Sequence, residues 1–115
     1  SRNEGDVDAA SQIEGRVVIE KGAVVRNSRI RGPVVIGAGS VIDHAYIGPY
    51  TSLGRNCKVE HSEMEHSVVL DGSSIIGIER LTDSLIGRDV QVTRSEQKPR
   101  ALRLMLGDDS KVELE

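Results

Sequence analysis

Large aliphatic side chains return along this chain in steps of six, six and five residues. That rhythm fits neither a 3.6-residue helix nor an uninterrupted strand. In the stretch IGPYTSLGRNCKVEHSEM they fall at Ile47, Leu53, Val59 and Met64. Extended in both directions, the spacing gives three columns that each advance by 17 residues: Ile13, Ile30, Ile47, Met64, Leu81; Ile19, Ile36, Leu53, Leu70; and Val25, Ile42, Val59, Ile76. The rhythm slips by one residue after Leu81, and Ile86 and Val92 continue the second and third columns. A second set lies two residues before each: Val17, Val34, Thr51, Val68; Ala23, Ser40, Cys57, Ser74; and Ser28, Ala45, Ser62, Glu79. Strand side chains alternate between faces, so residues two apart point the same way. Each coil is therefore predicted to supply three short strands, each turning one large and one small side chain inward. Polar and glycine-rich corners fall at EKGA, GAGS, GRNC and DGSS. The predicted fold is all-β: a single-stranded parallel β-helix of about five coils, rising ~4.8 Å per coil. No coil buries its own apolar face, so stacking must supply the neighbours.

Composition agrees with a slim interior, since the chain has two Tyr and neither Phe nor Trp. One domain fits its 115 residues. It divides into a lead-in and first partial coil over 1–12, the β-helix over 13–95, and a tail over 96–115. In the tail, RALRLMLGDDSKVEL alternates Leu102, Leu104 and Leu106 against Arg103 and Met105, passes a Gly-Asp-Asp-Ser turn, and alternates again at Val112 and Leu114. That pattern predicts a hairpin. The competing reading is an amphipathic helix, because Ala-Leu-Arg-Leu-Met-Leu has high helix propensity. With 15 Lys and Arg against 18 Asp and Glu, the net charge of −3 offers no footprint for nucleic acid or an anionic membrane. The apolar runs are too short to span a bilayer and no secretory leader is visible, so a soluble, cytoplasmic protein is expected. The abrupt SRNEGDVDAAS start, without an initiator Met, reads as a fragment of something longer.

Residues one before each large column point outward. One face carries Val18, Val35, Ser52 and Val69, with Leu85 after the slip. A second carries Val24, Val41, Lys58 and Ile75. The third carries Arg29, Tyr46, Glu63 and Arg80, a solvated ladder with room for a Glu63–Arg80 cross-strand pair. Outward valines can reflect β propensity alone. The alternative is that two apolar faces are covered, by another subunit, a further domain or the chain's own tail.

Candidate chemistry is sparse. Cys57 falls in an inward column between Ser40 and Ser74, where a thiol is buried and unactivated. His44 and His61 lie one coil apart and stack at one corner, and His66 follows His61 by five residues. Trimeric β-helix carbonic anhydrases hold zinc with three His across a subunit boundary, two of them five apart. Neighbouring corners of one prism, however, are too distant for one metal, and Asn27–His44–His61–Ile78 reads as ordinary corner variation. Hexapeptide acyltransferases use a His base beside acyl-CoA, yet no long loop for an acceptor interrupts these coils. Lys98, Arg100 and Arg103 form a small basic cluster best read as a solvated face. No residue is assigned as catalytic, cofactor-binding or metal-ligating.

The coils VVIEKGAVVRNSRIRGPVVIGAGSVIDHAYIGPYTSLG and the tail RSEQKPRALRLMLGDDSKVEL together resemble the C-terminal left-handed β-helix of long-form glucose-1-phosphate thymidylyltransferases. The IGPYTSLG coil followed by ALRLMLGDDSKVE is the more specific part. Left-handedness is implied by the resemblance alone and runs against the usual right-handed crossover. The family's catalysis resides in an N-terminal domain opening on a GxGTRLxP-type signature, which this chain lacks. The resemblance implies that this other domain binds dTTP with Mg²⁺ and joins it to glucose 1-phosphate, giving dTDP-glucose and pyrophosphate. It carries no catalytic residue onto any position here. The expected role is non-catalytic: homo-oligomer assembly, or placement of the missing catalytic domain, through Val18, Val35, Val69 and Val24, Val41, Ile75. The alternatives are a stand-alone trimeric acyltransferase, a zinc enzyme of the carbonic-anhydrase kind, and a regulatory module that binds a sugar nucleotide.

Overall fold

A computed structural model of the chain describes residues 1–94, 104, 106–109, 111 and 112. The first coil contains β1 (Arg2–Asn3), β2 (Asp6–Val7) and β3 (Gln12–Glu14); the second β4 (Val17–Ile19), β5 (Val24–Arg26) and β6 (Arg29–Arg31); the third β7 (Val34–Ile36), β8 (Val41–Asp43) and β9 (Tyr46–Ile47). The fourth contains β10 (Thr51–Leu53), β11 (Lys58–Glu60) and β12 (Glu63–Glu65), and the fifth β13 (Val68–Val69), β14 (Ser74–Ile76) and β15 (Leu81–Thr82); β16 (Leu85–Ile86) and β17 (Gln91–Val92) begin a sixth. Every third strand pairs in parallel. Sheet I runs β1-β4-β7-β10-β13-β16, sheet II β2-β5-β8-β11-β14-β17, and sheet III β3-β6-β9-β12-β15. The result is a three-sided parallel β-helix, measuring 42 × 27 × 22 Å overall. Among the described residues no helix is long and apolar enough to cross a membrane.

The interior is aliphatic, as the columns predict: Ile19, Ile30, Ile36, Ile42, Ile47, Leu53, Val59 and Met64 are fully buried. Serines fill several of the small inner positions, at Ser28, Ser40, Ser62, Ser67 and Ser73, and bond between coils. Ser40 Oγ donates to the Gly54 carbonyl at 2.8 Å and accepts the Cys57 N–H at 3.0 Å. Ser28 Oγ donates to the Arg26 carbonyl and accepts the Ala45 N–H. These hydroxyls satisfy the Arg26 and Gly54 carbonyls and the Ala45 and Cys57 N–H groups at the corners.

The register departs from the predicted columns earlier than Leu81. Leu53 pairs with Val69 and Val59 with Ile75, so Val69 and Ile75 are buried, while Leu70 is 39 % exposed and Ile76 half-buried. Leu70 therefore does not sit above Leu53. The cause is a corner: Gly48-Pro49-Tyr50 spans what Glu65-His66 spans one coil later, and the shorter turn advances everything behind it by one residue. Met64 still pairs with Leu81, so the lost residue is regained within Ile78-Glu79-Arg80. Ser67 and Ser73, rather than Val68 and Ser74, take the small inner sites, and Glu79 is exposed rather than inward. This register also seats Gly72 (φ 78°) above Asn56 and Gly39 in a left-handed corner. Gly77 (φ 70°), not Ile78, follows His61 in its corner column. Most of the predicted tail hairpin, and with it Lys98, Arg100 and Arg103, lies outside the described residues.

Candidate functional site

With the interior filled, chemistry and recognition are left to the three outer faces. Sheet I presents Val18, Val35, Ser52, Val68 and Leu85 in register along the axis. Val35 and Val68 are each 41 % exposed. The predicted Val69 is interior and Val68 stands in its place, so this face keeps its apolar row. Sheet II does not. Ile75 is in the lumen, and the outward row reads Val24, Val41, Lys58, Ser74 and Gln91, apolar only at its start. The one-residue advance explains both corrections, because it exchanges inward for outward along β13 and β14, the strands between Met64 and Leu81 in these two sheets.

Sheet III is polar. Arg29 bonds Glu14 at 3.1 Å, and Arg80 pairs with Glu65 rather than with Glu63 directly opposite, because its guanidinium reaches diagonally across the ladder. The Glu65 carboxylate holds the Arg80 guanidinium above its ordinary pKa. Tyr46 lies over Gly48, where an added Cβ would sit 3.0 Å from the ring. A depression of ≈ 210 Å³ is lined by Tyr46, Glu63, Met64, Glu65 and Arg80, and a shallower one of ≈ 440 Å³ by residues including His44, His61 and Glu79. Both are open to solvent, and in the first Glu65 is paired with Arg80.

The histidines sit as the repeat predicts. His44 and His61 stack with ring centroids 5.0 Å apart, and His44 Nδ1 lies 2.8 Å from Asp43 Oδ1. His66 is on another corner, its ring 5.3 Å from Tyr50. Among the described residues no three His, Cys, Asp or Glu side chains gather as a metal site would require. Cys57 is buried, with Sγ donating to the Leu70 carbonyl at 3.3 Å, and burial pushes its thiol pKa up. The surface residue that the column reading passed over is Tyr50, 66 % exposed beside the apolar row of sheet I. Its position one before the inward Thr51 was the available signal.

Known proteins supply the family context. Over 113 residues, 98 % of this chain, it is 53 % identical to a glucose-1-phosphate thymidylyltransferase of Streptomyces griseus, and over 114 residues 54 % identical to one of Streptomyces antibioticus. The chain is a relative of the glucose-1-phosphate thymidylyltransferases. It spans about a third of the length of these thymidylyltransferases, 32 % in each case. A low-salt glycan biosynthesis nucleotidyltransferase of Haloferax volcanii is 37 % identical over 67 residues, 57 % of this chain and 19 % of that protein. Among solved structures, serine acetyltransferase isoform 3 of Entamoeba histolytica matches 87 % of this chain and 38 % of its own at 16 % identity and a TM-score of 0.27, too distant to bear on a thymidylyltransferase relative. No family model matches.

Proposed function

We propose that this chain is the non-catalytic C-terminal β-helix domain of a cytoplasmic glucose-1-phosphate thymidylyltransferase, and that it assembles copies of the enzyme or positions the catalytic domain. The parent reaction joins dTTP and glucose 1-phosphate into dTDP-glucose and pyrophosphate. The observation that carries the reading is the similarity to two thymidylyltransferases, 53 % and 54 % identical over nearly all of this chain and about a third of theirs, on a fold whose interior is filled by aliphatic side chains. The row Val18, Val35, Val68 and Leu85 is the surface on which such a domain would be held. Mg²⁺ would serve the part of the enzyme that binds nucleotide. The described residues offer no cluster to hold it, so no step is assigned to it here.

The test compares the full-length protein with the 115-residue chain. The full-length protein is expected to form dTDP-glucose from dTTP and glucose 1-phosphate with Mg²⁺. The chain alone is expected to be inert and to bind neither zinc nor acetyl-CoA. Stoichiometric zinc in the purified chain, or micromolar acetyl-CoA affinity, would overturn the reading in favour of a stand-alone enzyme.

A further inference from the structure

We propose that the outer face of sheet III binds an uncharged saccharide, seated around Tyr46 and the stacked rings of His44 and His61. This goes beyond the assembly role and uses a different face of the prism.

The chain has five ring side chains, two Tyr and three His, and all of them fall between residues 44 and 66. The aliphatic interior uses none of them. Tyr50 and His66 meet at one corner, whereas His44, Tyr46 and His61 line a single hollow of ≈ 440 Å³ beside sheet III. A hollow of that size suits a small molecule. Tyr46 and Glu63 also line the ≈ 210 Å³ hollow towards Glu65 and Arg80, so one tyrosine stands between two adjoining depressions.

Tyr46 is held flat. Its ring reaches along its own strand to Gly48, where a Cβ would lie 3.0 Å from ring carbon Cε2 and 3.1 Å from the hydroxyl. Gly48 permits this posture, and the half-buried ring keeps one face against the sheet and one face free. An aromatic face is electron-rich and attracts the polarised C–H groups of a pyranose. His44 and His61, 5.0 Å apart and 17° from parallel, make a second wall. Asp43 Oδ1 engages His44 Nδ1 at 2.8 Å, which leaves Nε2 for a ligand.

The polar groups choose among ligands. Among the described residues the Glu63 carboxylate accepts no hydrogen bond, although it borders both hollows. Its two oxygens can accept from two neighbouring sugar hydroxyls. Arg80 is already held by Glu65, and Glu79 lines the larger hollow, so carboxylates outnumber free cations there. A nucleotide or a sugar phosphate is repelled by Glu63 and Glu79, and an uncharged polyol is not. A polyamine would satisfy the carboxylates alone. A saccharide, donor and acceptor at each hydroxyl, also uses the Tyr46 hydroxyl and the imidazoles. Both hollows are open, so the affinity is expected to be on the order of millimolar.

The test titrates the 115-residue chain with methyl β-glucopyranoside, followed by amide NMR; dispersed spectra and thermal melts show that each variant is folded. The glucoside is expected to shift the amides of β9 and β12 and the ring protons of His44 and His61, saturating by ~100 mM. Tyr46→Gln repeats the residue type of Gln12 in the same outward row, and is expected to fold and to weaken binding roughly tenfold. Tyr46→Phe should weaken it less, and Glu63→Gln by about fivefold. Tyr50→Gln, at the other corner, is expected to leave it unchanged. No saturable shift, or equal losses in Tyr46→Gln and Tyr50→Gln, would overturn the site. Glucose 1-phosphate or spermidine binding as tightly as the glucoside would overturn the uncharged saccharide as its ligand. None of these outcomes touches the enzyme assays above, whereas zinc or acetyl-CoA binding by the chain would overturn the functional reading itself.

Discussion

Thr51 and Ser40 occupy equivalent small inner positions on different sheets, yet their hydroxyls fare differently. Ser40 Oγ ties Gly54 to Cys57 across a coil boundary. Thr51 Oγ1 is buried without a hydrogen-bond partner among the described residues, between Val34 below and Ser67 above. Removing a used hydroxyl strands a buried N–H, whereas replacing an unused one with a methyl removes a desolvation penalty. Ser40→Ala is therefore expected to lower unfolding stability by about 1–3 kcal/mol. Thr51→Val is expected to raise it by about 1 kcal/mol. Urea titrations of both decide this, and equal signs would contradict it. Cys57 gives a pH dependence. Burial raises its thiol pKa above 9.0, so the neutral form is favoured in the fold. Its contribution is fully present below pH 9.0 and is lost as pH rises through the raised folded value. The wild type should thus lose stability in alkali more steeply than Cys57→Ala. At pH 8 its alkylation by iodoacetamide should track global unfolding, and prompt reaction with the folded protein would refute the burial.

At the scale of the element, the period of the repeat was legible and its phase was not. Val68-Val69-Leu70 and Ser74-Ile75-Ile76 are apolar in either phase, so hydrophobic columns cannot choose between Val69 and Leu70. The corners can. Aligning Gly39 and Asn56 with Gly72 places Ser40, Cys57 and Ser73 together and carries Ile75 inward. The signal was therefore present in the turn residues, which need a left-handed backbone that glycine and asparagine accept most readily. One apolar outer face was lost to this phase error, and the sheet III ion pair was misplaced because length and reach of the side chains decide diagonal pairing. Gly77 tests the corner argument directly. Its column holds Asn27, His44 and His61 at φ of 47–48°, and an added Cβ would meet nothing within 4 Å. Gly77→Asn should melt close to wild type. Gly77→Val should cost about 1–2 kcal/mol, because backbone strain rather than crowding sets the penalty.

The whole molecule is a one-dimensional stack in which each coil touches only those above and below it. Stability then falls towards the ends, and Ile13, in the lowest coil, is already 38 % exposed although it belongs to an interior column. Amide exchange should be slowest in β7 to β11 and fastest in β1 to β3. The registers from β4 to β10 repeat at 17 residues on sheet I, pairing Val17 with Val34 and Val34 with Thr51. Excising 30–46 would join Arg29 to Ile47 and lay each remaining strand on its own kind. The shortened protein is expected to melt cooperatively at a lower temperature, whereas removal of eight residues from the same region should abolish folding. A prism of this kind changes height only in whole storeys. Anything fastened to its two ends is held at separations drawn from a ladder of fixed rungs, and a lineage can lengthen or shorten that spacing in one genetic event without redesigning a wall.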